Sequence, residues 1–316
     1  MKKTSNISKY LVLGLAGAMF AVTSCKKKEG CTDATAENYD AEAETDDGSC
    51  TYETPAEPTE ITVSSNITTN TTWETGKCYI LAGRIAVTNG ATLTIQPGVL
   101  VKGEAGTGAN ATALLVSQDG MLDAQGTANA PIIFTSVADE ITPADIAAGN
   151  FASPNMPSDL DGLWGGVIVL GEATISVTGG TTAQIEGIPP SDPNGLYGGA
   201  NDADNSGSIS YISIRHGGAN IGDGNEINGL TLGGVGTGTS VSHVEVVANQ
   251  DDGIEFFGGT VNVSNALVWN AGDDAIDTDQ AWAGTLDNFI VVAGSNTDHG
   301  LEIDGPEGTF MAGHTV

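Results

Sequence analysis

Basic residues are scarce. The chain of 316 residues holds 10 Lys and Arg against 40 Asp and Glu, a formal net charge of −30 at pH 7. No Lys or Arg follows Arg215, although 15 acidic residues do. That balance excludes nucleic-acid binding resting on phosphate neutralisation, and it argues against docking on an anionic surface by simple attraction. Aromatic residues make up only 5% of the chain and charged residues only 16%. Long patterns of 3.6 period are rare, so few helices are expected. The apolar run from Tyr10 to Val22 has 13 residues. A helix needs about 20 to span a bilayer, so this run fits the core of a secretory signal instead. Cysteine is limited to four residues.

What is present begins with that leader. Lys2, Lys3 and Lys9 precede the apolar run, and Val22-Thr23-Ser24-Cys25 closes it. This ending resembles the lipobox of bacterial lipoproteins. The resemblance implies a signal peptide over 1–24, acylation of Cys25, and anchoring by several acyl chains where one alone would be marginal. Loss of the three leader lysines would leave 7 basic residues against 40 acidic, a charge near −33. Lys26-Lys27-Lys28-Glu29 lacks the Asp that retains many lipoproteins at the inner membrane. The expected location is therefore the outer membrane, lipid-anchored and facing the cell surface.

Four zones follow from composition: the signal, a tether over 25–30, a Cys-bounded acidic module over 31–50, and a linker over 51–59 containing Pro55 and Pro58. In an oxidising compartment Cys31 and Cys50 are expected to pair. The loop they close is worth about 3 kcal/mol in the chain-entropy model. Cys78, in the strand-like run Lys77-Cys78-Tyr79-Ile80-Leu81, reads as a buried small hydrophobe.

From residue 60 to 316 the chain is rich in Gly, Thr, Val and Ile, and it repeats. Asn228-Gly229-Leu230-Thr231-Leu232, Asp252-Gly253-Ile254-Glu255-Phe256, Asp274-Ala275-Ile276-Asp277-Thr278 and His299-Gly300-Leu301-Glu302-Ile303 align, with the small residue at 229, 253, 275 and 300. Alternating runs at Val241 to Val247, Val261 to Val268 and Leu286 to Val292 lie between them, and looser strands lie upstream. Coils of about 22–25 residues, each buried only on its neighbours, indicate an all-β right-handed parallel β-helix. The competing all-β readings, a propeller or a sandwich, would need hairpin turns. Insertions are expected at 139–162 and 188–206. An uncapped solenoid end would leave strand edges open, so the sequence up to Val316 reads as a fragment.

Gly90-Ala91-Thr92-Leu93-Thr94-Ile95-Gln96-Pro97-Gly98, Trp164-Gly165-Gly166-Val167-Ile168 and Asp251-Asp252-Gly253-Ile254-Glu255-Phe256-Phe257-Gly258-Gly259-Thr260 resemble the pectin-lyase-like β-helix lipoproteins of Gram-negative outer membranes. The resemblance runs from about Ile61 onward. It implies a solenoid and a cell-surface location, and no established activity. The segment from Cys31 to Cys50 is similar to Cys-bounded acidic repeats likened to thrombospondin type 3 calcium repeats. A single copy leaves both a metal site and a stapled spacer open.

The candidate chemistry lies in the acidic turns. Asp251 and Asp252, Asp273 and Asp274, and Asp298 occupy equivalent places on successive coils, which stack at about 4.8 Å. Carboxylates so close repel unless protons or cations intervene. Oxygen ligands in this arrangement suit Ca²⁺, so Asp251, Asp252, Asp273, Asp274, Asp277 and Asp298 are the expected ligands, with Asp279 and Asp304 able to complete shells. The bland reading is that these residues only shape turns by accepting backbone N–H groups. An enzyme reading uses Asp252 and Asp274 as acid and base with His299 as helper. The segments Gln250-Asp251-Asp252, Gly272-Asp273-Asp274 and Asn296-Thr297-Asp298-His299-Gly300 resemble polygalacturonase-type glycosidases. Their order differs from that family, and no downstream Arg/Lys pair exists to hold a uronate. Arg215 reads as the structural partner of an adjacent acid, and His243 and His314 as structural. Trp269 and Trp282, flanking the second turn, are the candidate sugar platforms. A non-catalytic, calcium-stabilised surface protein binding polysaccharide or another partner is the leading reading. A polysaccharide hydrolase or lyase comes second, and a structural stalk third.

Overall fold

The computed structural model describes residues 27–52, 59–222 and 225–308. The signal, Cys25 and His314 lie outside them. The chain divides into two compact units, Met1–Glu57 and Pro58–Val316. In the first, Cys31 and Cys50 form a disulfide with Cα atoms 4.8 Å apart. Glu29–Gly30 pairs in parallel with Thr45–Asp46, so the last tether residues belong to the stapled unit. Lys28 reaches Asp40 and Glu42 at 2.9 and 2.8 Å. No helix among the described residues is long and apolar enough to cross a membrane.

The second unit is a parallel β-helix. Apart from two short antiparallel pairs in excursions, its named strands pair in parallel, which excludes the sandwich and the propeller. Successive coils contribute to three faces. On the first, Arg84–Val87, Ala113–Val116, Val167–Leu170, Leu230–Gly233, Ile254–Phe257, Ile276–Asp279 and Glu302–Ile303 stack in register. The second and third faces are shared by long strands such as Gly207–Arg215, Ser240–Asn249 and Asn262–Ala271. The corner between the two faces falls at a left-handed residue: Tyr211 (φ 49°), His243 (φ 53°) and Asn265 (φ 58°), followed by Asn288 (φ 57°) on the next coil. The register skips these positions, so they stack on one another. Asn tolerates this conformation best. Where Tyr and His replace it, their rings stack with centroids 4.2 Å apart.

Alternation decides which side chains go inside. On the first face Leu230 and Leu232, Ile254 and Phe256, and Ile276 point into one continuous core. The recurring small residue also has a reason. A Cβ on Gly229 would stand 2.5 Å from Val246 Cγ1, and one on Gly253 would stand 2.5 Å from the Ala275 carbonyl oxygen and press on Val268. The turn backbone passes directly over an inward valine of the third face. Gly253→Ala is therefore expected to cost about 1–3 kcal/mol by overpacking, measured as a lower urea midpoint at unchanged slope.

Cys78 is buried, and burial pushes its thiol up to about 11. The first insertion carries the short helix Pro143–Ala147, capped by Thr142. The second excursion departs from expectation: it begins after Leu170, where the sequence placed it from Ile188. Its Ile175 and Ile185 pack on the outside of the first face with Ile188 and Tyr197. Apolar side chains at two-residue spacing look the same whichever side of a sheet they cover.

Candidate functional site: an acidic ladder under the second insertion

The outward positions of the first face form a ladder: Ala86, Leu115, Ile168, Thr231, Glu255, Asp277 and Glu302. Its first half is apolar and covered by the second insertion. Its second half turns acidic while still partly under that cover. Glu255 is 5% exposed and Asp277 9%. Beside the ladder runs the turn position that holds Asn228, Asp252, Asp274 and His299 on successive coils. Asp252 Oδ1 accepts the Asp274 backbone N–H at 2.9 Å, and Asp274 Oδ1 accepts that of His299 at 2.7 Å. Each aspartate thus braces the turn of the following coil, as the bland reading required.

Bracing does not account for the whole arrangement. Oxygens of Asp252, Glu255 and Asp277, all buried, lie within 4.8 Å of one another. Oδ1 of Asp277 and Oδ1 of Asn228 are buried without a hydrogen-bond partner. The Asn228 amide donates to Glu255 Oε2 and, at 3.3 Å, to Glu186 Oε1 of the second insertion. Two further groups adjoin this triad. Asp251, Asp252 and Asp273 come together at the turn, and Asp274 meets His299 and Glu302 of the next coil. His299 Nδ1 stands 2.9 Å from Asp274.

The electrostatics follow from burial among like charges. Loss of water holds Asp252 up at about 9, with repulsion from Asp251 adding to it. Asp251 rises to about 7 and Asp277 to about 6, burial again leading. Glu186 is raised to about 8 by burial and by Asp251 and Glu226. Glu255 is held well above the usual range by burial and by Glu186. Among the described residues no Lys or Arg hydrogen bond or ion pair reaches the triad. Arg215 serves the third face instead, 3.3 Å from Glu245, as a structural partner of an acid.

Of the six expected ligands, Asp251, Asp252, Asp273, Asp274 and Asp277 fall into these groups. Asp298 does not: its side chain is 70% exposed, and its contact with His299 is 3.9 Å. Glu255, Glu302 and Glu186 were missed. The first two stand in the aligned repeat itself, at the outward position shared with Asp277, so alternation could have found them. Glu186 is brought in by the insertion, and no local pattern announces it. Trp282 stacks on Phe256 at 4.2 Å and donates to the Val261 carbonyl, which engages its ring in packing. Trp269 is 39% exposed on the third face.

Residues 65–315 match the family model described as a pectate-lyase-like β-helix domain. The match covers well over half of the chain, and the chain belongs to that family. No curated protein and no solved structure matched the chain.

Proposed function

We propose that this protein is a non-catalytic β-helix that binds polysaccharide and carries Ca²⁺ on its acidic ladder. The observation behind this reading is the buried triad of Asp252, Glu255 and Asp277. Three carboxylates share one small volume with two orphaned acceptor oxygens and, among the described residues, no basic partner. Hard oxygen donors of this kind suit Ca²⁺, which takes 6–8 of them. Asp252, Glu255, Asp277 and Asn228 Oδ1 would hold the ion, which would supply the positive charge that the ladder needs.

Burial also argues against hydrolysis. A glycosidic bond must reach its acid and base, and inverting chemistry places a water between carboxyls about 6.5–9.5 Å apart. Here Asp252 is 8% exposed and Asp274 2%, and each spends an oxygen on a neighbouring turn. A lyase needs a basic group at the substrate, and among the described residues the ladder has only the half-exposed His299. The reading includes a lipid anchor at Cys25 and an outer-membrane surface location, both resting on the sequence of residues 10–29.

Affinity electrophoresis of the full chain through polysaccharide gels, with a reducing-end assay on the same glycans, tests this. Retention without product is expected. Product that disappears in Asp252→Asn or Asp274→Asn would establish the hydrolase instead. Neither retention nor product over neutral and acidic glycans would leave a stalk.

A further inference from the structure

A groove separate from the ladder lies between the third face and the first insertion. Phe151, Met156, Arg215, His216, Glu245 and Trp269 line a hollow of about 460 Å³, within the range of small-molecule clefts. A second hollow of about 240 Å³ adjoins it, sharing Phe151, Arg215 and Glu245 and ending at Tyr211 and His243. Strand register sets the spacing. Arg215 pairs with Val247 and Val247 with Trp269, so Arg215 and Trp269 stand two rungs apart along the same face.

The polar groups at the centre of this groove are matched and fixed. Arg215 Nε donates to Ser213 Oγ at 2.6 Å, and the guanidinium also donates to the Phe151 carbonyl and to Glu245 Oε2. Ser213 donates to the same Glu245 oxygen. The ion-paired unit, with Arg215 buried and Glu245 partly exposed, offers donors and acceptors side by side without net charge. At one end the Trp269 indole is 39% exposed. At the other, the stacked Tyr211 and His243 rings carry an Nδ1 that is buried without a partner.

We propose that this groove binds one or two pyranose rings of a neutral polysaccharide. Trp269 stacks on the apolar face of one ring, and the Arg215–Glu245 pair bonds to its hydroxyls. A π-face beside paired donors and acceptors fits a molecule with one C–H face and a rim of hydroxyl groups. A uronate is disfavoured, because the guanidinium is already neutralised and the rest of the chain is strongly acidic. The proposal rests on the polysaccharide-binding reading and locates its site away from the calcium ladder.

Affinity electrophoresis of the full chain through β-glucan, galactomannan, xylan and polygalacturonate gels tests it, with and without chelator. Retention by a neutral glycan is expected to persist in chelator. Trp269→Ala should weaken it about tenfold, as truncating an aromatic anchor does, while Trp269→Phe keeps most of it. Glu245→Gln should weaken it too, and thermal melts of each variant check folding. If neutral glycans retain wild type and a folded Trp269→Ala equally, the groove is wrong and polysaccharide binding stands. Retention only by polygalacturonate, lost in chelator, would move the sugar to the ladder and overturn the groove. No retention by any gel would overturn both.

Discussion

In excess chelator, Asp277→Asn is expected to melt above the wild-type chain, and in millimolar Ca²⁺ below it. The inversion follows from what the carboxylate does in each state. Without a cation, Asp277 is the first of the triad to lose its proton, so it places a poorly solvated charge between two carboxyls and leaves one oxygen without a partner. Its removal relieves that desolvation cost. With Ca²⁺ bound, the same carboxylate is a ligand, and its loss weakens the site. For wild type, ligand at about 100 times its dissociation constant stabilises by about 2.7 kcal/mol. A domain of about 250 residues gains roughly 2–4 °C per kcal/mol, so the melting temperature should rise about 5–10 °C on adding Ca²⁺. Differential scanning calorimetry of the full chain in both conditions checks the pair of signs. An Asp277→Asn variant that melts below wild type in both would identify the residue as packing alone.

Alkalinity should unfold the chelated protein. Asp251, Asp252, Asp277 and Glu186 hold their protons more tightly when folded than unfolded, at about 7, 9, 6 and 8. A raised folded value gives stability that is complete below the ordinary carboxylate range and is lost as pH climbs through the folded values. The window here runs from about pH 4 to 9. Asp119 has the opposite sign: hydrogen bonds from Ser117 and Thr88 hold it below its usual value despite burial. Its contribution is lost on acidification. The melting temperature of the chelated chain should therefore peak near pH 4–5 and fall steadily toward pH 9. In Ca²⁺ the cation displaces the protons and the fall should disappear. A thermal series at half-unit pH steps measures both slopes. Equal slopes with and without Ca²⁺ would separate the protons from any cation.

How much of this was legible in the sequence depends on the range of the interaction. The solenoid was readable because its coils repeat locally: Gly229 and Gly253 recur where a turn crosses Val246 and Val268, and Leu230, Ile254 and Ile276 recur where one core layer sits on the next. The Cys31–Cys50 bridge and the burial of Cys78 were readable for similar reasons. The turn aspartates were found from the same repeat. Their surroundings were not. Whether Glu255 faces water or lies beneath Glu186 depends on an excursion whose Ile175 and Ile185 cover the outside of the sheet. The same limit applies to the groove. Phe151 and Arg215 are 64 residues apart, and only the folded insertion brings that carbonyl to the guanidinium. Trp282 flanks an acidic turn in sequence, yet it stacks on Phe256.

Equilibrium dialysis of the chelator-stripped full chain against radiolabelled Ca²⁺ tests the ladder most directly, with Asp277→Asn and Asp298→Asn alongside. Saturable binding is predicted for wild type and for Asp298→Asn, whose exposed carboxylate lies outside the buried triad, with a marked loss in Asp277→Asn. Absence of saturable binding by wild type, or identical binding by Asp277→Asn, would contradict a cation held between Asp252, Glu255 and Asp277.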